Sequence, residues 1–319
     1  MQAVMFALAL AATLFAGQQA PRPVTLVGEV RAAIAAHDLA RAEAIVVARR
    51  AQQGPTPEVI EAVSWLGRGA LAAGQGDRAE QYAVEAQRLA LAALGSRSVD
   101  TDAKLANALG AAIEVQAQAS ANRGARTDAI VLLERALKTY QDTGIAKRIQ
   151  KNINLLTLEG RPAPALDLSE SMGGPLSGAT ARALEGKVVV LFFWAHWCPD
   201  CKTVGPTLAR LLEKHKANGL ALVAPTQRFG YVAGGATAPP DEELRYMLEV
   251  RDKYYPFLAG VPVPVSAANH LRYGVSSTPT IVILDRAGIV RLYHPGQMTE
   301  AELESHLGPL LSPATAPAR

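Results

Sequence analysis

The 319 residues hold only two cysteines, Cys198 and Cys201. A disulfide scaffold needs more cysteines closing longer loops, so this pair does not staple a fold. So short a loop gains little from restraining the unfolded chain. A structural zinc site wants four ligands, and His37, His196, His215, His270, His294 and His306 show no close ligand spacing to supplement the two thiols. An excess of one charge is missing too. Lys and Arg number 32 against 29 Asp and Glu, with no dense basic stripe, which leaves nucleic-acid binding without compositional support. The N-terminal apolar run, Ala3 to Phe15, is too short to cross a bilayer core of roughly 30 Å. No Lys or Arg precedes that run, and no cysteine near its end offers a site for a lipoprotein anchor. The expectation is a signal peptide over residues 1–20, and with it export to a periplasmic or other extracytoplasmic space.

From Val24 to about Leu158 the chain is alanine-rich, has helical periodicity and contains no convincing strand. Small residues recur in groups: Leu66, Gly67, Ala70, Gly74, Ala79, Ala83 and Ala86, then Leu109, Gly110, Ile113, Ala129, Leu133 and Ala136. A weaker third group runs from Gly28 through Ala40 and Ala44 to Val47. This spacing resembles the tetratricopeptide pattern, in which small side chains let paired helices pack closely. A generic helical bundle would show much the same residues. The expectation is an all-α domain over residues 24–158, arranged as helical hairpins.

Glu159-Gly-Arg-Pro-Ala-Pro164 marks a boundary near residue 160, because two prolines in three residues break a helix and favour an extended connector. Strand and helix then alternate. Lys187 to Trp194 reads as a strand buried on both faces, followed by a helix from Lys202 to Ala217. A strand over Leu220 to Ala224, a helix over Glu242 to Tyr255 and an extended Val261 to Val265 come next. Thr280 to Leu284 and Ile289 to Tyr293 form a hairpin, and a helix over Glu300 to Leu310 closes the domain. This order implies an α/β domain over residues 161–311, a sheet with helices on both faces.

Trp197-Cys-Pro-Asp-Cys201 joins the first of these strands to its helix. There the backbone N–H groups and helix dipole stabilise a thiolate, so Cys198 is expected to be exposed, acidic and nucleophilic. Pro199 suits the first helical position, where its missing N–H costs nothing. Cys201, one turn along, is placed to attack a mixed disulfide. The only redox group this chemistry needs is the Cys198–Cys201 disulfide itself; no other cofactor is expected.

Gly186 to Leu211, GKVVVLFFWAHWCPDCKTVGPTLARL, resembles the active-site strand and helix of thioredoxins, and more closely those of the exported TlpA/ResA/DsbE group. Arg161 to Leu168 resembles that group's opening segment. The extra helix and strand before Thr278 resemble its central insertion. Tyr273 to Asp285 resembles the segment that carries its cis-proline. The likeness covers about half the chain and implies a thioredoxin fold with a central αβ insertion. It further implies a cis bond before Pro279, facing the cysteines, with Thr278 offering its backbone to a bound client. Trp197 then belongs to the client-facing rim. Two family acids are absent: Phe192 and Val204 occupy positions where a carboxylate would move the second thiol's proton. Asp200 is the nearest replacement in sequence, and its charge disfavours a very acidic Cys198. His196 is expected to face solvent.

The function implied is an exported thiol–disulfide oxidoreductase that reduces disulfides in extracytoplasmic client proteins and is recharged by a membrane thiol donor. A copper-handling metallochaperone resembling the Sco proteins is the alternative, since thiolates suit Cu(I).

Overall fold

The computed structural model describes residues 25–173 and 184–312; the expected signal segment lies outside them. The helical half comprises α1 (Leu26–Ala35), α2 (Leu39–Gln53), α3 (Pro57–Ala72), α4 (Gly76–Leu94), α5 (Ala103–Asn122), α6 (Arg126–Tyr140) and α7 (Ala146–Thr157). Thr25, Asp38, Thr56 and Asp102 cap four of these helices by accepting N–H groups of the first turn. The three small-residue groups fall on the consecutive pairs α1/α2, α3/α4 and α5/α6. Close approach is their purpose at Gly67, where an added Cβ would stand 3.4 Å from the Ala79 carbonyl oxygen of α4. Ala79, Ala83 and Ala86 are buried opposite it. Val47, counted in the weakest group, is instead exposed, because α2 is the outer helix of the first pair and turns only Ala42 and Val46 fully inward. Two apolar clusters result, one around Val30, Val63 and Leu66, the other around Leu109, Leu133 and Ile149. Among the described residues no helix is long and apolar enough to cross a membrane.

The connector is extended, as its prolines dictate, but it is not free. Gly160 N donates to Val290 O at 2.8 Å, Val290 N to Arg161 O at 2.9 Å, and Ala163 N to Gly288 O at 3.0 Å. It thereby lines the edge of the sheet that follows.

That sheet contains β1 (Val188–Phe193), β2 (Leu220–Val223), β3 (Thr280–Leu284) and β4 (Val290–Pro295), in the order β2-β1-β3-β4. β1 pairs parallel with β2, Val188 opposite Leu220, and antiparallel with β3, Val189 opposite Leu284. All six residues of β1 are buried, and their alternation divides them between two cores. Val188, Val190 and Phe192 join the helices α8 (Pro199–His215) and α11 (Glu300–Leu311) on one face. Val189, Leu191 and Phe193 join Tyr273, Val275 and Tyr293 on the other, together with Leu158 from the end of the helical half.

The central insertion has its helix, α9 (Pro240–Tyr254), followed by the short α10 (Ala267–Arg272). Its extended part, expected over Val261 to Val265, makes only isolated bridges, Pro264 to Ser171 and Val265 to Thr226. Pro262 and Pro264 have no N–H to donate, so a continuous ladder cannot form. Their carbonyls still accept from Ala224 N and Thr226 N at 2.9 Å each.

Candidate redox site and its relatives

β1 delivers the chain to a buried turn. Trp194 is fully enclosed, its indole Nε1 donating to Ala224 O at 3.1 Å, while Thr226 Oγ1 donates to the Trp194 carbonyl at 2.9 Å. Cys198 N closes the turn on Ala195 O at 3.1 Å. Cys198 is then the N-cap of α8, with Pro199 at the start of the helix. Its Sγ accepts the Cys201 N–H at 3.0 Å and lies 3.3 Å from Thr278 O. The two cysteines are bonded as a disulfide with Cα atoms 5.3 Å apart. The Thr278–Pro279 peptide is cis.

Cysteines, Thr278 and Pro279 therefore converge, although eighty positions separate Cys198 from Thr278. Trp197 stands beside them, 46% exposed, with Phe229 edge-on at 5.6 Å between ring centroids. Asp200 lies apart from this group, exposed on the first turn of α8 and without a side-chain hydrogen bond among the described residues.

Two expectations are corrected. Cys198 is not exposed: 1% of its surface reaches solvent. Its side chain turns inward to cap the helix, and Trp197 takes the outward position. His196 does not face solvent either, being also 1% exposed. Phe229, Tyr231 and Tyr246 surround it edge-on at 5.3–5.4 Å. Its Nε2 lies 3.4 Å from Oε1 of Glu243, a residue of α9 with the same burial. At that length, and with neither ring nitrogen hydrogen-bonded, this is an electrostatic contact and not a formed hydrogen bond. Burial holds the imidazole below its ordinary pKa, against the opposing pull of Glu243.

Phe192 and Val204 are both buried in the apolar core beneath the cysteines, so neither family carboxylate position is filled. Glu243 is the one buried carboxylate among the described residues. It accepts the backbone N–H groups of Phe229 and Gly230, the latter at 2.9 Å, and so fixes the loop that sets Phe229 against Trp197. The sequence carried no signal for this, since Glu243 sits among other acids at a helix start and looks like a dipole partner. Among the described residues no group of three or more His, Cys, Asp and Glu side chains is placed to hold a metal ion.

A cleft of about 290 Å³ opens beside Trp197 and Thr278. Its far wall belongs to the helical half, from Asn107 of α5 and Lys147 and Arg148 of α7. Lys147 Nζ crosses to donate to Gln227 Oε1 at 2.8 Å.

The family model described as a thioredoxin-like domain matches residues 179–310, which leaves the helical half outside it. The thioredoxin-like protein YneN of Bacillus subtilis is 32% identical over 149 residues, 47% of this chain and 78% of that protein. A thiol:disulfide interchange protein DsbE of Xylella fastidiosa is 27% identical over 166 residues, 50% of this chain and 76% of that protein. The thiol-disulfide oxidoreductase ResA of Halalkalibacterium halodurans is 28% identical over 130 residues, 40% of this chain and 64% of that protein. Identity at this level over most of a relative's length, joined to a helix-capping Cys-x-x-Cys opposite a cis-proline, makes this chain a member of the thioredoxin-like thiol–disulfide oxidoreductases.

Proposed function

We propose that this oxidoreductase works outside the cytoplasm as a reductase of disulfides in exported proteins, with Cys198 as the nucleophile and Cys201 as the resolving thiol. The observation that carries the assignment of roles is the unequal placement of the two sulfurs. Cys198 Sγ caps α8 and accepts the Cys201 N–H, where a thiolate is stabilised by the helix terminus. In the reduced protein its thiolate attacks one sulfur of a client disulfide. That S–S bond breaks, the departing client sulfur takes up a proton, and a Cys198–client mixed disulfide forms. Cys201 then gives up its proton and attacks Cys198 Sγ. The second client sulfur leaves, and two electrons have passed from the dithiol to the client. A dithiol donor upstream, at the membrane, restores the pair.

The Thr278 carbonyl beside Cys198 Sγ supports a client strand lying along Thr278 and Pro279 with Trp197 as its rim. Export rests on the apolar Ala3 to Phe15 segment. The helical hairpins are read as a tetratricopeptide-like array that recruits clients. The test is substitution of each cysteine. Cys198→Ser should reduce insulin no faster than buffer. Cys201→Ser should accumulate mixed disulfides that a thiol reductant releases. Alkylation of the reduced protein at mildly acidic pH should label Cys198 first; equal labelling, or Cys201 first, overturns the assignment.

A further inference from the structure

We propose that the cleft between the helical half and the redox face is a recognition site for an acidic residue flanking the client cysteine, with Lys147 and Arg148 as its selecting charges. This rests on the reading of the chain as a disulfide reductase and adds a substrate class to it. The cleft shares Thr278 with the redox centre, and Thr278 O lies 3.3 Å from Cys198 Sγ. An extended chain advances roughly 3.3 Å per residue. A client cysteine at Cys198 therefore places its close neighbours in this space.

The space is built to receive polar atoms. His270 lines it, is 1% exposed, and has an Nε2 with no hydrogen-bond partner. Its Nδ1 approaches Ser266 O at 3.4 Å. Thr278 Oγ1 is likewise buried and unpartnered. Buried polar atoms are nearly always satisfied. The neutral His270 Nε2, with Nδ1 facing Ser266 O, accepts and so suits a client backbone N–H, while the Thr278 hydroxyl can donate to a client oxygen.

The charge of the far wall decides which partner. Lys147 Nζ meets only the neutral amide of Gln227, and burial lowers its pKa with no acidic neighbour opposing. Arg148 lies 3.8 Å from Glu114, a carboxylate it shares with Lys151 at 3.0 Å and Arg68 at 4.0 Å. It also feels Glu61, which accepts from Asn107 Nδ2 at 3.2 Å. Of these charged groups only Lys147 and Arg148 line the cleft, so the wall it presents is cationic. Lys147 and Arg148 come from α7, outside the matched thioredoxin-like region, so the selectivity belongs to this chain's helical half. A volume of about 290 Å³ suits a short stretch of polypeptide passing through.

The experiment uses the full reduced chain and two disulfide-linked peptides that differ only in Glu or Lys beside the cysteine. The neutral disulfide of 2-mercaptoethanol serves as the reference oxidant. At low salt the Glu peptide should oxidise the protein about tenfold faster than the Lys peptide, and 0.5 M salt should erase most of that ratio. Lys147→Gln should lower the ratio, and Lys147→Glu with Arg148→Glu should invert it. Lys147→Gln, the milder change, keeps the question answerable if the double variant does not fold. A ratio near one in the wild-type chain, with all three disulfides reduced, overturns this proposal and leaves the reductase reading intact. A ratio unmoved in Lys147→Gln and in the folded double variant overturns it too, by placing the selectivity elsewhere. If no disulfide is reduced, the underlying reading fails and the proposal falls with it.

Discussion

Gly274 lies against the backbone of Lys151, so closely that a Cβ built on it would stand 2.3 Å from Lys151 N and 2.5 Å from its Cα. Its φ of +59° is also in the left-handed region. This turn follows α10, and through it the redox domain docks on α7. Asn154 Nδ2 adds a hydrogen bond to Arg272 O at 3.1 Å. Lys147 and Arg148, on the same helix, owe their position over the redox face to this contact.

Gly274→Ala should therefore cost roughly 2–4 kcal/mol, from backbone strain and from the displacement of α7. Urea unfolding measures it. A loss within 0.5 kcal/mol would mean that α7 yields without penalty, and that the docking is loose.

Asp200 should keep the reduction potential nearer to about −270 mV than to the roughly −120 mV of strongly oxidising relatives of the fold. Its carboxylate is exposed, so the effect is a screened one. Asp200→His should raise the potential by a few tens of millivolts. Equilibration with glutathione reads both values, and an unchanged potential in the variant would remove Asp200 from any tuning role.

Burial pushes the His270 imidazole down to about 3, with Lys147 acting in the same direction. Below pH 6.5 the unfolded chain protonates this residue while the folded chain does not, so the unfolded state binds more protons. Stability should accordingly fall as pH drops from about 6.5 towards 3, by about 1.4 kcal/mol per unit at most for this group. His270→Gln should flatten the dependence of the urea midpoint between pH 7 and 5. An identical slope in the variant would show that other groups govern it.

Residues 161–319 alone should fold and reduce insulin, because β1 to β4, α8 and α11 all lie within them. The fragment loses Leu158 from the core shared with Val189 and Tyr293, and Glu159 Oε1, which accepts the Tyr293 N–H at 3.1 Å. A destabilisation of about 2 kcal/mol is expected from the leucine. If circular dichroism finds the fragment unfolded, the helices complete its core and the boundary at residue 160 is misplaced.

What could be read along the chain was whatever short-range periodicity and local chemistry determine. β1 appeared as an unbroken apolar run because both faces of a central strand are buried. The helix after Cys198 was legible because a proline at its start and a thiol at its cap are local requirements. The paired helices were legible in their small residues, although Val47 showed that a matching residue need not face the partner helix.

Orientation and environment were decided only in three dimensions. His196 reads as a polar residue beside an exposed motif, yet Glu243 and three aromatic rings from distant segments enclose it. Cys198 reads as an exposed nucleophile, yet capping its own helix draws the sulfur inward to Thr278. The cationic wall facing Thr278 has no sequence signature at all. Lys147 looks like one more surface lysine until the docking of α7 carries it to Gln227, eighty residues away. Periodicity records which face of an element is buried. Which distant element buries it, and with what charge, is settled by packing between elements, and here that packing builds the cleft.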